Sequence, residues 1–295
     1  MAYPSIAVGV AGSATSWQAL AWAADEAAAS GARLIICHGC PPESALSRHP
    51  AMVPMALLEL ADPPLARAVT ATRTRLGGQR VTLRIRPDYD AVSLLSETAR
   101  DADLLVLGAP EHTGWWERRS TTHRLLGHTP VPTVVVRPVA SGRHGSFAGH
   151  VVVGVDGSAP AAAGLEFAFG YAAAHRLPLA AVHATADAVD DLWFDDTMLE
   201  AHFPTEPAGL ALLAEQVEPW THKYPDVAVK RAVYTGRPLP ALLRAADGAR
   251  LLVVGASGHN LAARALLGSV SHGVVDQAAV PVAIVPSPAR LVPQP

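Results

Sequence analysis

The sequence is short of cysteine, of aromatic residues and of charge, and each shortage removes a class of protein. Two cysteines in 295 residues cannot form a disulfide framework, so the expected location is the reducing cytoplasm. Aromatics make up 5% and charged residues 17% of the chain, while hydrophobic residues reach 50%. Its cores must therefore be built from Ala, Val and Leu, a profile that suits parallel strands buried on both faces beneath Ala-rich helices. A formal net charge of −3 argues against a nucleic-acid partner bound through a broad basic face. No apolar run reaches the ~18–20 residues that a membrane span requires. The opening Met1-Ala2-Tyr3-Pro4 lacks a basic leader, and the short apolar run after it reads as a strand, so no signal peptide is expected.

Familiar catalytic arrangements are missing too. The chain has no G-x-x-x-x-G-K-[ST], no G-x-S-x-G and no kinase set, and its 13 histidines include no H-E-x-x-H. Without a lysine or an evident base in the loop described below, rapid phosphoryl transfer is hard to build. At most, slow ATP hydrolysis is expected, with no catalytic residue to name and no metal site.

What the chain does have is an internal repeat. Ile6-Ala7-Val8-Gly9-Val10-Ala11-Gly12-Ser13 returns as Val151-Val152-Val153-Gly154-Val155-Asp156-Gly157-Ser158, an offset of 145. Leu34-Ile35-Ile36-Cys37-His38 returns as Leu179-Ala180-Ala181-Val182-His183 at the same offset of 145. Leu104-Leu105-Val106-Leu107-Gly108 matches Leu251-Leu252-Val253-Val254-Gly255 at 147, and Val131–Val136 matches Val280–Val285 at 149. Four matches in one order with slowly drifting offsets establish a duplication. The length suits two domains of roughly 140–150 residues.

Within each copy, short Val/Leu/Ile runs alternate with Ala-rich stretches of helical character: 16–30 in the first, 160–176 in the second. In the latter, Leu165, Phe167, Ala168, Tyr171 and Ala172 recur at helical spacing, and Ser13 and Ser158 stand where N-caps belong. Alternating strand and helix imply right-handed crossovers and a parallel sheet. The expected fold is α/β: two tandem doubly wound, Rossmann-like domains of about five strands each. Domain one spans 1–138, a polar glycine-rich linker 139–149, domain two 150–286 and a proline-rich tail 287–295. Ligands of such sheets bind beyond the carboxyl ends of the strands, where strand order reverses.

The chemistry concentrates in copy two. After the strand 251–254 come Gly255-Ala256-Ser257-Gly258, nine residues, then Gly268-Ser269-Val270-Ser271-His272 at an apparent helix start. Glycines at 255 and 258 are expected to adopt positive φ and let the backbone approach a ligand. The run from Gly268 to Ser271 offers N–H groups and hydroxyls at a helix N-terminus, where the dipole favours anions. This pattern, alongside Val-Gly-Val-Asp-Gly-Ser on the first strand, resembles the ATP-binding subgroup of the universal stress protein family in its tandem two-domain form. The resemblance covers nearly the whole chain, once per copy. It implies ATP as ligand, with the role of Mg2+ left open. It also implies that Asp156 contacts the adenosine end and that Ala184 lines the pocket. Ribose and phosphates would fall to Gly255, Ala256, Gly258, Gly268, Ser269, Val270 and Ser271. A role in stress or dormancy and an unidentified protein partner follow from the same resemblance. So does dimerisation through the final strands, Thr133–Val136 and Val282–Val285, which would pair the two copies as an internal pseudo-dimer or join two chains. A slow ATPase and a ligand-free interaction scaffold are the rival readings.

Copy one departs from the pattern. Ala11 replaces the aspartate, Glu111 stands at the second glycine, Arg119 falls opposite Gly268 and Ser120 opposite Ser269. A carboxylate in the loop would repel a polyphosphate, so copy one is expected not to bind ATP in the family manner, although Arg118 and Arg119 leave another anion open. Cys37-His38-Gly39-Cys40 reads as structural, because its copy-two equivalents are Val182 and Thr185. His38 and His183 share a strand-end position, and His123 and His272 both follow a helix start, which points to packing. Trp115-Trp116 either closes an empty pocket or awaits a partner, and 190–196 is either a flap or a solvated loop.

Overall fold

The computed structural model describes residues 3–48, 53–86, 91–110, 120–137, 145–185, 207–256 and 268–287. The chain divides into two compact units, Ala2–Pro138 and Val139–Pro295. In the first, β1 (Ser5–Gly9), α1 (Ala14–Ser30), β2 (Arg33–Gly39), α2 (Met55–Ala61), α3 (Pro63–Leu76) and β3 (Val81–Arg86) are followed by α4 (Ala91–Arg100), β4 (Leu104–Gly108), α5 (Thr121–Leu125) and β5 (Thr133–Val136). Its strands run parallel in the order β3-β2-β1-β4-β5.

The second unit repeats the scheme. It comprises β6 (Val151–Gly154), α6 (Ala159–His175), β7 (Leu179–Thr185), α7 (Pro207–Lys223), β8 (Val229–Thr235), α8 (Pro238–Ala245), β9 (Leu251–Gly255), α9 (Ser269–Gln277) and β10 (Val282–Val285). The parallel order is β8-β7-β6-β9-β10. In both units strand order reverses between the first and fourth strands, so the crevice opens at the carboxyl ends of β1 and β4, and of β6 and β9.

The elements form where local chemistry asks for them. Ile6, Ala7, Val8, Leu34, Ile36 and Leu104–Val106 are fully buried, as strands covered on both faces must be. Ser13 Oγ accepts from the Ser16 N–H at the start of α1, and Ser158 Oγ accepts from Ala161 at the start of α6. Both helices end on a left-handed residue, Gly31 at φ 76° and Arg176 at φ 54°. The first is the usual solution, and the second holds a non-glycine residue where a Cβ is unfavourable. Within the stretch 139–149, the last residues fold as a turn on the second unit. There Phe147 is buried and the Gly149 N–H donates to Gly248 O at 2.9 Å.

Candidate functional site

Copy two gathers several of its candidate residues at the end of β9. Ala256 N–H donates to Val285 O (2.8 Å), which holds the strand end against β10. Gly268 N–H donates back to Ala256 O (3.0 Å), and Ser271 Oγ donates to Gly255 O (2.7 Å). These bonds join the two ends of the glycine-rich loop into a closed neck. Ser271 is buried, so its hydroxyl serves the neck, while Ser269 is exposed on the first turn of α9. Gly268 is the N-cap of α9 and makes no side-chain capping bond. The α9 start therefore relies on nothing from its own cap residue to satisfy its outward N–H groups. Val270 lies between them, half-buried.

Asp156 and Ala184 sit at the same edge of the sheet, at the carboxyl ends of β6 and β7. Asp156 Oδ1 accepts from the Ser158 N–H at 3.0 Å, an Asx turn that holds Gly157 at φ 77°. Ala184 is half-buried and lies in register with Tyr234 of β8. The Tyr234 hydroxyl is pushed above its ordinary pKa by burial, with the Arg244 cation opposing the shift. Arg244 itself lies over the Tyr234 ring, 5.7 Å from its centroid.

One expectation is corrected. Gly255 is not among the glycines of positive φ. A Cβ at this position would lie 2.6 Å from the carbonyl carbon and oxygen of Pro160. The glycine is required because the start of α6 passes directly over the strand end, and the close approach is made by the protein's own helix. Copy one repeats the arrangement: a Cβ on Gly108 would lie 2.7–2.8 Å from backbone atoms of Thr15 and Ser16.

The copy-one neck is built alike and finished differently. Thr122 Oγ1 donates to Gly108 O (2.9 Å), standing in for Ser271, and Ala109 N–H donates to Val136 O (2.9 Å). Here, however, Ser120 is the N-cap of α5, and its Oγ accepts from the His123 N–H at 3.2 Å. The same Oγ lies 2.9 Å from His123 Nδ1. The helix starts one residue later than α9 relative to the repeat, and a hydroxyl of its own consumes a donor that copy two leaves to others. His123 is buried, in keeping with a packing role.

Between β1, β2, α4 and the start of α5 lies a cavity of about 630 Å³. Its lining includes Ala11, His38, Asp62, Leu94, Leu107 and Ser120. His38 Nδ1 bonds to Val10 O (2.9 Å), just as His183 Nδ1 bonds to Val155 O (2.7 Å), so the shared histidine position is a shared structural link. A carbonyl only accepts, so Nδ1 carries the proton in each ring. His38 also faces a carboxylate: its Nε2 lies 3.6 Å from Asp62 Oδ2. Asp62 also caps α3, accepting from the Leu65 N–H at 3.0 Å. Sequence reasoning missed Asp62. Asp62-Pro63-Pro64 is a legible helix start, but nothing local reveals that it reaches His38.

Cys37 belongs to the core around Ala7, Leu94, Leu95 and Leu105. Burial pushes its thiol up to about 11, opposed by a bond to Thr98 Oγ1 at 3.6 Å and by the Arg84 cation. Cys40 is also buried, and neither cysteine is in a disulfide. Both side chains are buried in the strand-end packing of the first domain, where this C-x-x-C serves as core. Gly258, Glu111, Trp115-Trp116, Arg118, Arg119 and the segment 190–196 lie outside the described residues. Among the described residues, no helix is long and apolar enough to cross a membrane.

Known proteins share this architecture and sequence. The sequence profile of the universal stress protein family matches residues 2–137 and again residues 148–286. A universal stress protein of Mycolicibacterium smegmatis is 33% identical over 290 residues, covering 95% of this chain and 96% of that protein. One of Mycobacterium tuberculosis is 30% identical over 290 residues, covering 95% of each. The crystal structure of a universal stress protein from Archaeoglobus fulgidus superposes with a TM-score of 0.66 at 14% identity, covering 97% of both chains. Two copies of one doubly wound unit, each matching the same profile, make this chain a tandem member of the universal stress protein family.

Proposed function

We propose that the chain is a nucleotide-binding stress regulator that holds ATP in its second domain and turns it over slowly or not at all. The observation that carries this reading is the contrast at the helix following the fourth strand. In copy two, Gly268 leaves the first turn of α9 without a side-chain cap, whereas Ser120 closes the corresponding turn in copy one. An uncapped helix start beyond the carboxyl ends of a parallel sheet, at the reversal of strand order, suits a phosphate group. Gly268, Ser269 and Val270 would supply N–H groups and a hydroxyl. Asp156 and Ala184 stand at neighbouring strand ends, where a base and sugar would lie. Bound ATP would supply a charge-rich ligand whose presence biases shape or partner choice. This chain's residues would bind and orient it. The cytoplasm is the proposed compartment.

The test is to denature freshly purified protein and identify the nucleotide released per chain. One ATP per chain supports the reading. Two would restore copy one as an ATP site, and none, with no thermal stabilisation by added ATP, would leave an interaction scaffold. Conversion of the bound ATP to ADP on long incubation, lost in Gly258→Glu, would make the second domain a slow ATPase.

A further inference from the structure

We propose that the outer edge of β8 is a docking strand for the acidic segment 190–196 of a second copy of this chain. β8 is the last strand of its sheet, beside β7, and among the described residues no strand pairs with its outer side. Such an edge presents backbone donors and acceptors to another extended chain. Lys230 and Arg231 are exposed on it, and among the described residues no carboxylate pairs with either. Being consecutive, they point to opposite faces, so each face of the edge carries a cation. The first domain shows the opposite case. Arg84 and Arg86 of its edge strand β3 are answered from α4, by Asp101 at 3.8 Å and by Glu97. In copy two, α8 holds no acidic residue, and at the offset of 147 Arg244 stands where Glu97 does.

The occupant is written in the sequence. Asp190-Asp191-Leu192-Trp193-Phe194-Asp195-Asp196 sets a pair of acids on either side of three apolar residues. Along β8 the complementary order is Lys230 and Arg231, then half-buried Ala232, Val233 and Tyr234. Run antiparallel, with Asp196 opposite Lys230 and Asp195 opposite Arg231, the segment lays Phe194, Trp193 and Leu192 against those three. Run parallel, Asp190 and Asp191 meet the cations and the apolar residues still face one another. Acid opposite base and aromatic opposite apolar are the stabilising cross-strand pairs. A second β8 would bring only further cations to the edge.

The segment of the same chain is poorly placed to dock there. For the parallel sense it would first have to regain the amino end of β8, a strand of seven residues or about 23 Å. The residues 186–189 reach about 14 Å at most. For the antiparallel sense the link 186–190 would cross the exit of β8, where the Gly236 N–H donates to Thr185 O at 2.9 Å. Connections do not cross one another on one edge of a sheet. Between two copies, each chain offers both an edge and a segment, so the pair satisfies itself about a twofold axis.

The experiment compares full-length chains of reversed charge by sedimentation, with hydrogen exchange of the β8 amides as a second readout. Lys230→Glu with Arg231→Glu reverses the edge. Asp190→Lys, Asp191→Lys, Asp195→Lys and Asp196→Lys together reverse the segment. The wild type should self-associate, less tightly as salt is raised, and its β8 amides should gain protection with protein concentration. Each reversed variant alone should associate about tenfold more weakly or worse, because like charges then face each other. The milder Lys230→Gln with Arg231→Gln should weaken association less. An equimolar mixture of the two reversed variants should recover the wild-type affinity. In it the acidic edge of one chain meets the basic segment of the other, and the unaltered edge and segment also meet. That recovery shows in addition that both variants fold. A monomeric wild type, association unchanged in both reversed variants, or no recovery in the mixture would overturn the proposal. So would β8 protection that is independent of concentration and lost in the segment variant, which would seat the segment in its own chain.

Discussion

The two domains share strand order, neck hydrogen bonds and the strand-end histidine link, yet they differ in who satisfies one helix start. Copy one caps its own helix with Ser120, whereas α9 of copy two starts one repeat position earlier, with Gly268 as its N-cap. They also differ in where a carboxylate stands: on the first strand's loop as Asp156, or on the α3 cap as Asp62. A duplicated scaffold keeps the contacts that close its sheet and varies the contacts that face the crevice. Packing constrains the former in both copies and leaves the latter free to differ.

The sharpest way to break this comparison is at the shared glycines. Gly108→Ala and Gly255→Ala should each destabilise their own domain by about 3 kcal/mol, because the added Cβ meets backbone at the start of α1 and of α6 respectively. Native-state hydrogen exchange of the strand amides in each domain would show it. A neutral Gly108→Ala would mean that the glycine serves only a ligand.

Next in size is the transfer of copy-one features into copy two. Gly258→Glu with Gly268→Arg should weaken ATP binding by about 100-fold, or about 2.7 kcal/mol, measured by calorimetry. Retained affinity would remove the helix start from the site.

The Cys37 thiol offers a third contrast, since Val182 holds the same place in copy two. Its folded value of about 11 exceeds its ordinary value of 9.0, so the folded state keeps a proton that the unfolded state loses. The associated stability is intact below pH 9 and falls as pH rises from about 9 to about 11, by about 2–3 kcal/mol if the shift is fully expressed. Cys37→Val should flatten the pH dependence of first-domain unfolding over that interval. The smallest effect is at the helix ends. Arg176→Gly should stabilise the second domain by about 1 kcal/mol, and Gly31→Arg should cost the first a similar amount. Chemical denaturation reads both.

Much of this architecture was legible beforehand. The duplication, the alternation of strand and helix, the serine caps at 13 and 158 and the equivalence of His38 with His183 are all written in short-range patterns. The placing of Ser120 opposite Ser269 also holds, since Thr122 and Ser271 make the same bond to Gly108 and Gly255. Other features were not legible. The glycine at 255 was expected to adopt positive φ, and the structure shows instead that it makes room for Pro160. Asp62 looked like a helix cap and is also a cavity wall.

What the sequence determined by itself is the duplicated βα order, because strand and helix periodicity and capping are local properties of the chain. Only the tertiary structure decided what each glycine accommodates, which hydroxyl caps which helix, and that a carboxylate from α3 reaches the histidine of β2. Such meetings join residues far apart in sequence, and they are settled by how helices lie across the ends of a twisted sheet rather than by any pattern along the chain.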